Sequence, residues 1–194
     1  MTRTFRPDPV DAELLEHLVD LASRAPSAGK TQGWHLVVLH GADTTRFWDI
    51  TLPADRRDAF RWQTLLDAPV IALPLADPHA YVRRYAEPDK AAANSEAGPL
   101  GGGLDAWPQP YWNIDAAMAV NTLLLAAEDA GLGALFFGIF HGEHDVRAVL
   151  GIPDDLELLG ALALGYPAEV SEVVGRSAGR PRRPAREIIH PGGW

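Results

Sequence analysis

Helices with one apolar stripe alternate along the chain with short runs that are apolar on every side. Leu14, Leu18, Leu21, Ala22 and Ala25 recur at helical spacing. They predict an amphipathic helix capped by Asp11 and stopped by Pro26. Trp34–Leu39, Pro69–Leu75, Gly133–Phe140 and Leu158–Leu164 are apolar runs of strand length. Pro74 predicts that the second of these ends there or lies at an edge. Further helical segments are predicted over Thr44–Ile50, Ala54–Leu66, Asp77–Ala86 and Glu143–Leu150.

The rest of the pattern is organised around Asn113–Phe140. Asn113, Ile114 and Asp115 open it with polar groups suited to a first helical turn. The residues from Ala116 to Ala127 are apolar almost all round, the signature of a helix buried on every side. Asn121 and Thr122 in its middle, and Glu128-Asp129 at its end, make it unfit to cross a bilayer. Gly131 stands where a C-terminal cap belongs. A chain of this size rarely surrounds such a helix alone, which is a first hint of a dimer sharing it.

Residues 87–112 carry glycines and prolines and end in Trp107, Tyr111 and Trp112, the pattern of a lid over a ligand slot. Residues 175–194 are rich in Gly, Pro and Arg, with Ile188, Ile189 and Trp194 as apolar anchors. They read as an arm laid across another subunit.

Composition narrows the chemistry. A formal charge of −9 argues against general nucleic-acid binding. The absence of cysteine excludes disulfides, thiolate metal sites and a thiol nucleophile, so redox chemistry would need a bound cofactor. No segment reads as a secretion signal or membrane span, and the expectation is a cytoplasmic protein of one domain over 1–194.

Local motifs give unequal signals. Gly131 and Gly133 precede a strand and lack the spacing of a dinucleotide fingerprint. Ser27 lacks a nucleophile elbow. His141, Glu143, His144 and Asp145 could ligate a metal, but their glycine-containing turn suits a helix start on the surface, and no metal is expected. The loop Pro26-Ser27-Ala28-Gly29-Lys30-Thr31-Gln32-Gly33 crowds donors and small residues before a buried strand. It suits a planar polar ligand with an anionic tail, or simply a well-made turn. Arg180, Arg182 and Arg183 concentrate positive charge that could grip phosphate; a solvated tail is the alternative.

Taken together, the chain resembles the FMN-dependent nitroreductase family along its whole length. The matching residues are Arg3-x-Phe5 with Pro9-Val10, and Ala25-Pro26-Ser27-Ala28-Gly29-x-x-Gln32-x-Trp34. They continue with Ile114-Asp115-Ala116-Ala117, Leu125-x-Ala127-x-x-x-Gly131-Leu132-Gly133, Gly138, Gly151-Ile152-Pro153 and Leu164-Gly165-Tyr166-Pro167. The resemblance implies an α+β fold with a mixed, mostly antiparallel sheet flanked by helices. It also implies an intertwined homodimer with a long central helix, arm exchange and FMN at the interface. Arg3, Pro26, Ser27, Ala28, Gly29, Lys30 and Gln32 would surround the flavin, and backbone near Phe137 and Gly138 would face its reactive edge. Arg180, Arg182 or Arg183 would sit near the phosphate.

Two positions depart from the family pattern. Met1 falls where a serine belongs, leaving Arg3 alone of a basic run, and Lys30 replaces the usual Asn. The implied activity is transfer of hydride from NAD(P)H through FMN to a small acceptor, with no catalytic side chain required. A flavin-sequestering protein, or a relative that cleaves flavin, deiodinates or dehydrogenates, shares the same scaffold.

Overall fold

The computed structural model describes residues 1–91, 100–169, 175 and 177–194. Its centre is a sheet of β1 (Trp34–His40), β2 (Val70–Ala76), β5 (Ala161–Gly165) and β3 (Gly133–Phe137), in that spatial order. A short β4 (Glu157–Leu158) adds to β2, and every pairing among the described residues is antiparallel. Alternation along β2 sends Ile71, Leu73 and Leu75 to one face and Val70 and Ala72 to the other. The first face is covered by α2 (Thr44–Thr51) and α7 (Glu143–Leu150), the second by α1 (Ala12–Ala22) and α6 (Tyr111–Asp129). The result is the expected α+β class with an antiparallel sheet. No described helix is long and apolar enough to cross a membrane.

Two caps match the sequence reading. Asp11 Oδ1 accepts from the N–H groups of Glu13 and Leu14 at 2.8 and 3.1 Å. Beyond α6, the N–H groups of Gly131 and Leu132 return to the carbonyls of Glu128 and Ala127, closing the paired-bond cap that ends many helices.

Other boundaries differ, each for a local reason. Helix α1 stops at Ala22, not at Pro26, because Ser23 turns its hydroxyl back to the Asp20 carbonyl at 2.7 Å. The predicted helix over 54–66 reduces to α3 (Ala54–Arg57) and a 3-10 turn, Gln63–Leu65. Gln63 Nε2 donates to the carbonyls of Arg57, Asp58 and Phe60 and holds the intervening chain in a loop. Helix α6 begins at Tyr111, where the Pro110 carbonyl takes the N–H groups of Asn113 and Ile114; neither Asn113 nor Asp115 caps it.

The strand predicted over 158–164 is split by Gly160 into β4 and β5, and β3 ends at Phe137 because its partner begins at Ala161. Pro74 lies inside β2, which is central, rather than at an end or edge. Its carbonyl accepts from Leu159 on the side where β2 changes partner from β5 to β4. The missing N–H therefore falls in a gap of the ladder. Helix α6 is not buried all round within one chain: Ala116, Ala119, Val120 and Leu123 face inward, while Ile114 and Leu125 are 44% and 64% exposed. Among the described residues the sheet and α1 pack along it, and its first turns also meet Tyr81 and Trp107.

Helix α4 (Pro78–Tyr85) packs against the Ala28–Lys30 turn, and a short α5 (Pro88–Ala91) comes after it. Asp77 fixes the start of α4, accepting from the Ala80 N–H at 2.9 Å and from Arg83 at 2.7 Å. Burial alone would raise its carboxyl; these two donors outweigh burial and hold it below the ordinary carboxylate value. Asp77→Ala is expected to lower stability at pH 7 by about 1 kcal/mol. Since the folded state favours the ionised form, that stability is present above about pH 4 and is lost as pH falls below it. Urea unfolding of both proteins from pH 7 to pH 3 should show the difference closing on the acid side.

Candidate functional site

On the α2 and α7 face, a cavity of about 370 Å³ opens beside the end of β3. Its walls are aromatic: Phe47, Trp48, Phe60, Trp62, Phe137 and Phe140. Trp48 stacks on Phe137 with centroids 6.0 Å apart and planes 2° from parallel, and Phe47 meets both rings edge-on. Arg3 reaches the cavity because residues 2–6 run beside the sheet, with Thr2 N–H on the Ala134 carbonyl and Arg6 N–H on that of Tyr166. Its guanidinium lies over Trp62, 5.6 Å from the ring centroid. Gly138, directly after β3, and His141 complete the rim. The indole N–H groups of Trp48 and Trp62 are buried with no hydrogen-bond partner among the described residues. The cavity thus combines a flat apolar slot, a cation and unused donors.

The Pro26–Gly33 loop lies elsewhere; none of its residues lines this cavity. Gly29, Lys30 and Gln32 all have left-handed backbone, at φ 63°, 55° and 54°. For the two non-glycine residues that conformation costs about 1–3 kcal/mol each. Ser27 Oγ accepts from the Gln32 N–H at 3.0 Å, closing the turn. Asparagine adopts this backbone far more readily than lysine, so Lys30→Asn is expected to stabilise the protein by about 0.5–1 kcal/mol. A rise in the urea midpoint at unchanged slope would show it; a fall would mean that contacts of the lysine side chain outweigh the backbone strain.

The remaining candidates sit in two further places. Trp107 and Trp112 are buried against Tyr81, with Tyr81–Trp107 centroids 5.7 Å apart, and Tyr111 lies beside Trp107 at the surface. Trp107 and Tyr111 therefore flank the loop through a groove shared with Ala28 and Tyr85, while Trp112 packs against Tyr81 outside it. Residues 92–99 of the segment expected to form a lid lie outside the described residues. Arg180, Arg182 and Arg183 are exposed on the arm, and Arg183 bonds the Glu187 carbonyl. Ile188, Ile189 and Trp194 point to solvent in the single chain. Gly142 occupies the cap position of α7 without a side-chain cap bond, so His141, Glu143, His144 and Asp145 do not serve as caps. Among the described residues no group of three or more such side chains is arranged to hold a metal.

The sequence reading assigned no role to Trp48, Trp62, Tyr81 and Arg84, and took Asp115 only as a residue of the first helical turn. Asp115 offered a signal: it is the one acid among the inward-facing positions of an apolar helix. It is buried and accepts from the Ala28 N–H and the Tyr81 hydroxyl, both at 2.7 Å. Burial, that hydrogen bond and the neighbouring negative charge push the Tyr81 hydroxyl well above the usual phenol range.

The sequence model of the nitroreductase family matches residues 1–104 and 108–166. The chain belongs to the nitroreductase family. It is 31% identical over 176 residues to an NADH dehydrogenase of Thermus thermophilus, covering 86% of this chain and 82% of that protein. It is 30% identical over 182 residues to a 5,6-dimethylbenzimidazole synthase of Rhodospirillum rubrum, covering 86% and 77%. Among solved structures, a nitroreductase-like protein of Streptococcus mutans superposes with a TM-score of 0.71 at 19% identity, over 97% and 92% of the two chains. A nitroreductase of Desulfovibrio desulfuricans in complex with FMN gives 0.66 at 21% identity, over 97% and 88%.

Proposed function

We propose that this protein is an FMN-dependent oxidoreductase that uses NAD(P)H to reduce a small acceptor, such as a nitroaromatic or a quinone, in two half-reactions at one cleft. The observation that carries this reading is the aromatic cavity in which Arg3, Phe137 and Gly138 meet. Its unused indole donors and flat walls fit a planar ring bearing carbonyl oxygens. The relative named NADH dehydrogenase and the neighbour solved with FMN support it. When bound, FMN supplies the hydride chemistry at its N5 atom.

The chain's own residues supply binding and electrostatics. Arg3 offsets negative charge on the ring or its tail, and the aromatic walls exclude water, which strengthens that attraction. Backbone at Phe137 and Gly138 presents fixed dipoles to the ring edge. Arg180, Arg182 and Arg183 are the proposed phosphate grip. Pro26, Ser27, Ala28, Gly29, Lys30 and Gln32 contribute from a second copy of the chain, since in one copy they lie apart from the cavity. The exposed Ile114 and Leu125 of α6, and Ile188, Ile189 and Trp194 of the arm, are apolar surface that such a homodimer would cover. Trp107, Tyr111 and Trp112 then flank the acceptor side. The whole chain, 1–194, acts as one flavin-binding domain.

The test is the visible spectrum of gently purified protein before and after NAD(P)H under argon. Flavin bands that bleach support the reading; a colourless protein that refuses added FMN sinks it. The Rhodospirillum rubrum relative is named for making 5,6-dimethylbenzimidazole, and a dimethylated benzo ring is also the outer ring of flavin; this favours a second reading, in which flavin is itself the substrate and its ring is cleaved. Product analysis after aerobic incubation with reduced FMN separates the two.

A further inference from the structure

We propose that Asp115, Tyr81 and Arg84 are positioning residues that hold the Pro26–Gly33 loop in the shape that receives FMN. The inference rests on the flavin-binding role proposed for that loop. Three of the four residues from Gly29 to Gln32 are left-handed, and two of those are not glycine. Strained backbone of this kind persists only where its surroundings over-determine it.

Those surroundings are on α4 and α6. A single buried oxygen, Asp115 Oδ2, takes both the Ala28 N–H and the Tyr81 hydroxyl at 2.7 Å. On the other side of the turn, Arg84 Nε donates to the Gly29 carbonyl at 2.8 Å. Arg84 is itself fixed by Asp89, with two bonds of 2.7 Å, and by Glu87. The Tyr85 ring closes the third side so tightly that a Cβ on Gly29 would come within 2.8 Å of it. At the loop's end, the Asp77 N–H bonds the Gly33 carbonyl at 2.9 Å.

The clamp accounts for a carboxylate where a core helix would otherwise carry an apolar residue. An apolar side chain at 115 would fill the space but leave the Ala28 N–H and the Tyr81 hydroxyl unpaired. Asp115 and Arg84 grip the backbone of adjacent residues, Ala28 and Gly29, from opposite elements. That geometry fixes the direction in which the Ser27 to Gln32 groups face, while the clamp residues themselves stay out of the aromatic cavity.

The experiment compares wild type with Arg84→Gln, Arg84→Lys, Tyr81→Phe and Asp115→Asn. Two quantities are read: amide exchange at Lys30–Gly33 in flavin-free protein, and the dissociation constant for FMN. Arg84→Gln is at a partly exposed side chain and keeps the test open if a core variant fails to fold. Exchange at the loop should quicken about tenfold in Arg84→Gln and Asp115→Asn, with FMN binding weakened by a similar factor. Arg84→Lys, which keeps a donor for the Gly29 carbonyl, should recover part of both. A merely structural role predicts lower melting temperatures with uniform changes in exchange and unchanged FMN affinity, and that result overturns the proposal. Loop amides that exchange as in wild type also overturn it. Wild-type protein that takes up no FMN defeats the functional reading first; faster loop exchange in the variants then marks a structural clamp only.

Discussion

Gly160→Ala is expected to lower stability by about 2–5 kcal/mol and the melting temperature by roughly 5–15 °C. Gly160 separates β4 from β5 with φ of 143°, in a region that residues with a Cβ rarely adopt. A Cβ there would also stand 2.7 Å from the Phe137 carbonyl oxygen, with the Phe136 ring at 3.1 Å. Phe137 is both the last residue of β3 and a wall of the aromatic cavity, so any relief by movement displaces the cavity's edge. Flavin uptake should fall together with stability. Gly193→Ala, where a new Cβ meets nothing within 4 Å among the described residues, is the control and should stay within about 0.5 kcal/mol of wild type. Calorimetry decides the matter; an unchanged melting temperature for Gly160→Ala would mean that the backbone there is not held in the strained form.

The second large effect is expected from Phe47→Ala, at about 3–5 kcal/mol. Phe47 is 1% exposed and meets Trp48 and Phe137 edge-on, at centroid distances of 5.0 and 6.1 Å. Its removal leaves a void that the stacked Trp48–Phe137 pair cannot fill without losing its parallel arrangement. Phe47→Leu retains most of the buried area and should cost under about 1.5 kcal/mol. Urea unfolding at constant slope measures both. A loss below about 1 kcal/mol for the alanine variant would show that α2 collapses freely onto the sheet, and that the cavity wall is not rigid.

Much of the fold was legible because it depends on local period and chemistry. The apolar runs located the strands, Asp11 marked the start of α1 with its own side chain, and the glycine after α6 marked that helix's end. Pro74 misled because the usual argument against proline in a central strand assumes an unbroken ladder. Here the ladder has a gap on that side, filled by the turn at Leu159 and Gly160. Helix ends were misjudged wherever a side chain competes with the backbone, as Ser23 and Gln63 do.

Of the residues that the family resemblance implied, Arg3, Phe137 and Gly138 line the aromatic cavity, while the 26–33 loop lies apart from it in the single chain. The cavity's other walls were not legible. Trp48 and Trp62 join Phe137 only through tertiary packing, and nothing in their spacing announces it. Asp115 was visible as a residue but read as a cap, because its true partners, Ala28 and Tyr81, are distant in sequence.

The separation of loop and cavity within one chain has a consequence beyond geometry. If each cofactor site takes its loop from one copy and its cavity from another, no isolated chain owns a site. Cofactor retention then depends on how often two copies meet, and dilution by itself empties the protein without any change in its fold. Bound FMN, in turn, holds the pair together. Expression level becomes a determinant of holoprotein content, and a weakened interface reads in an assay as a weakened cofactor site.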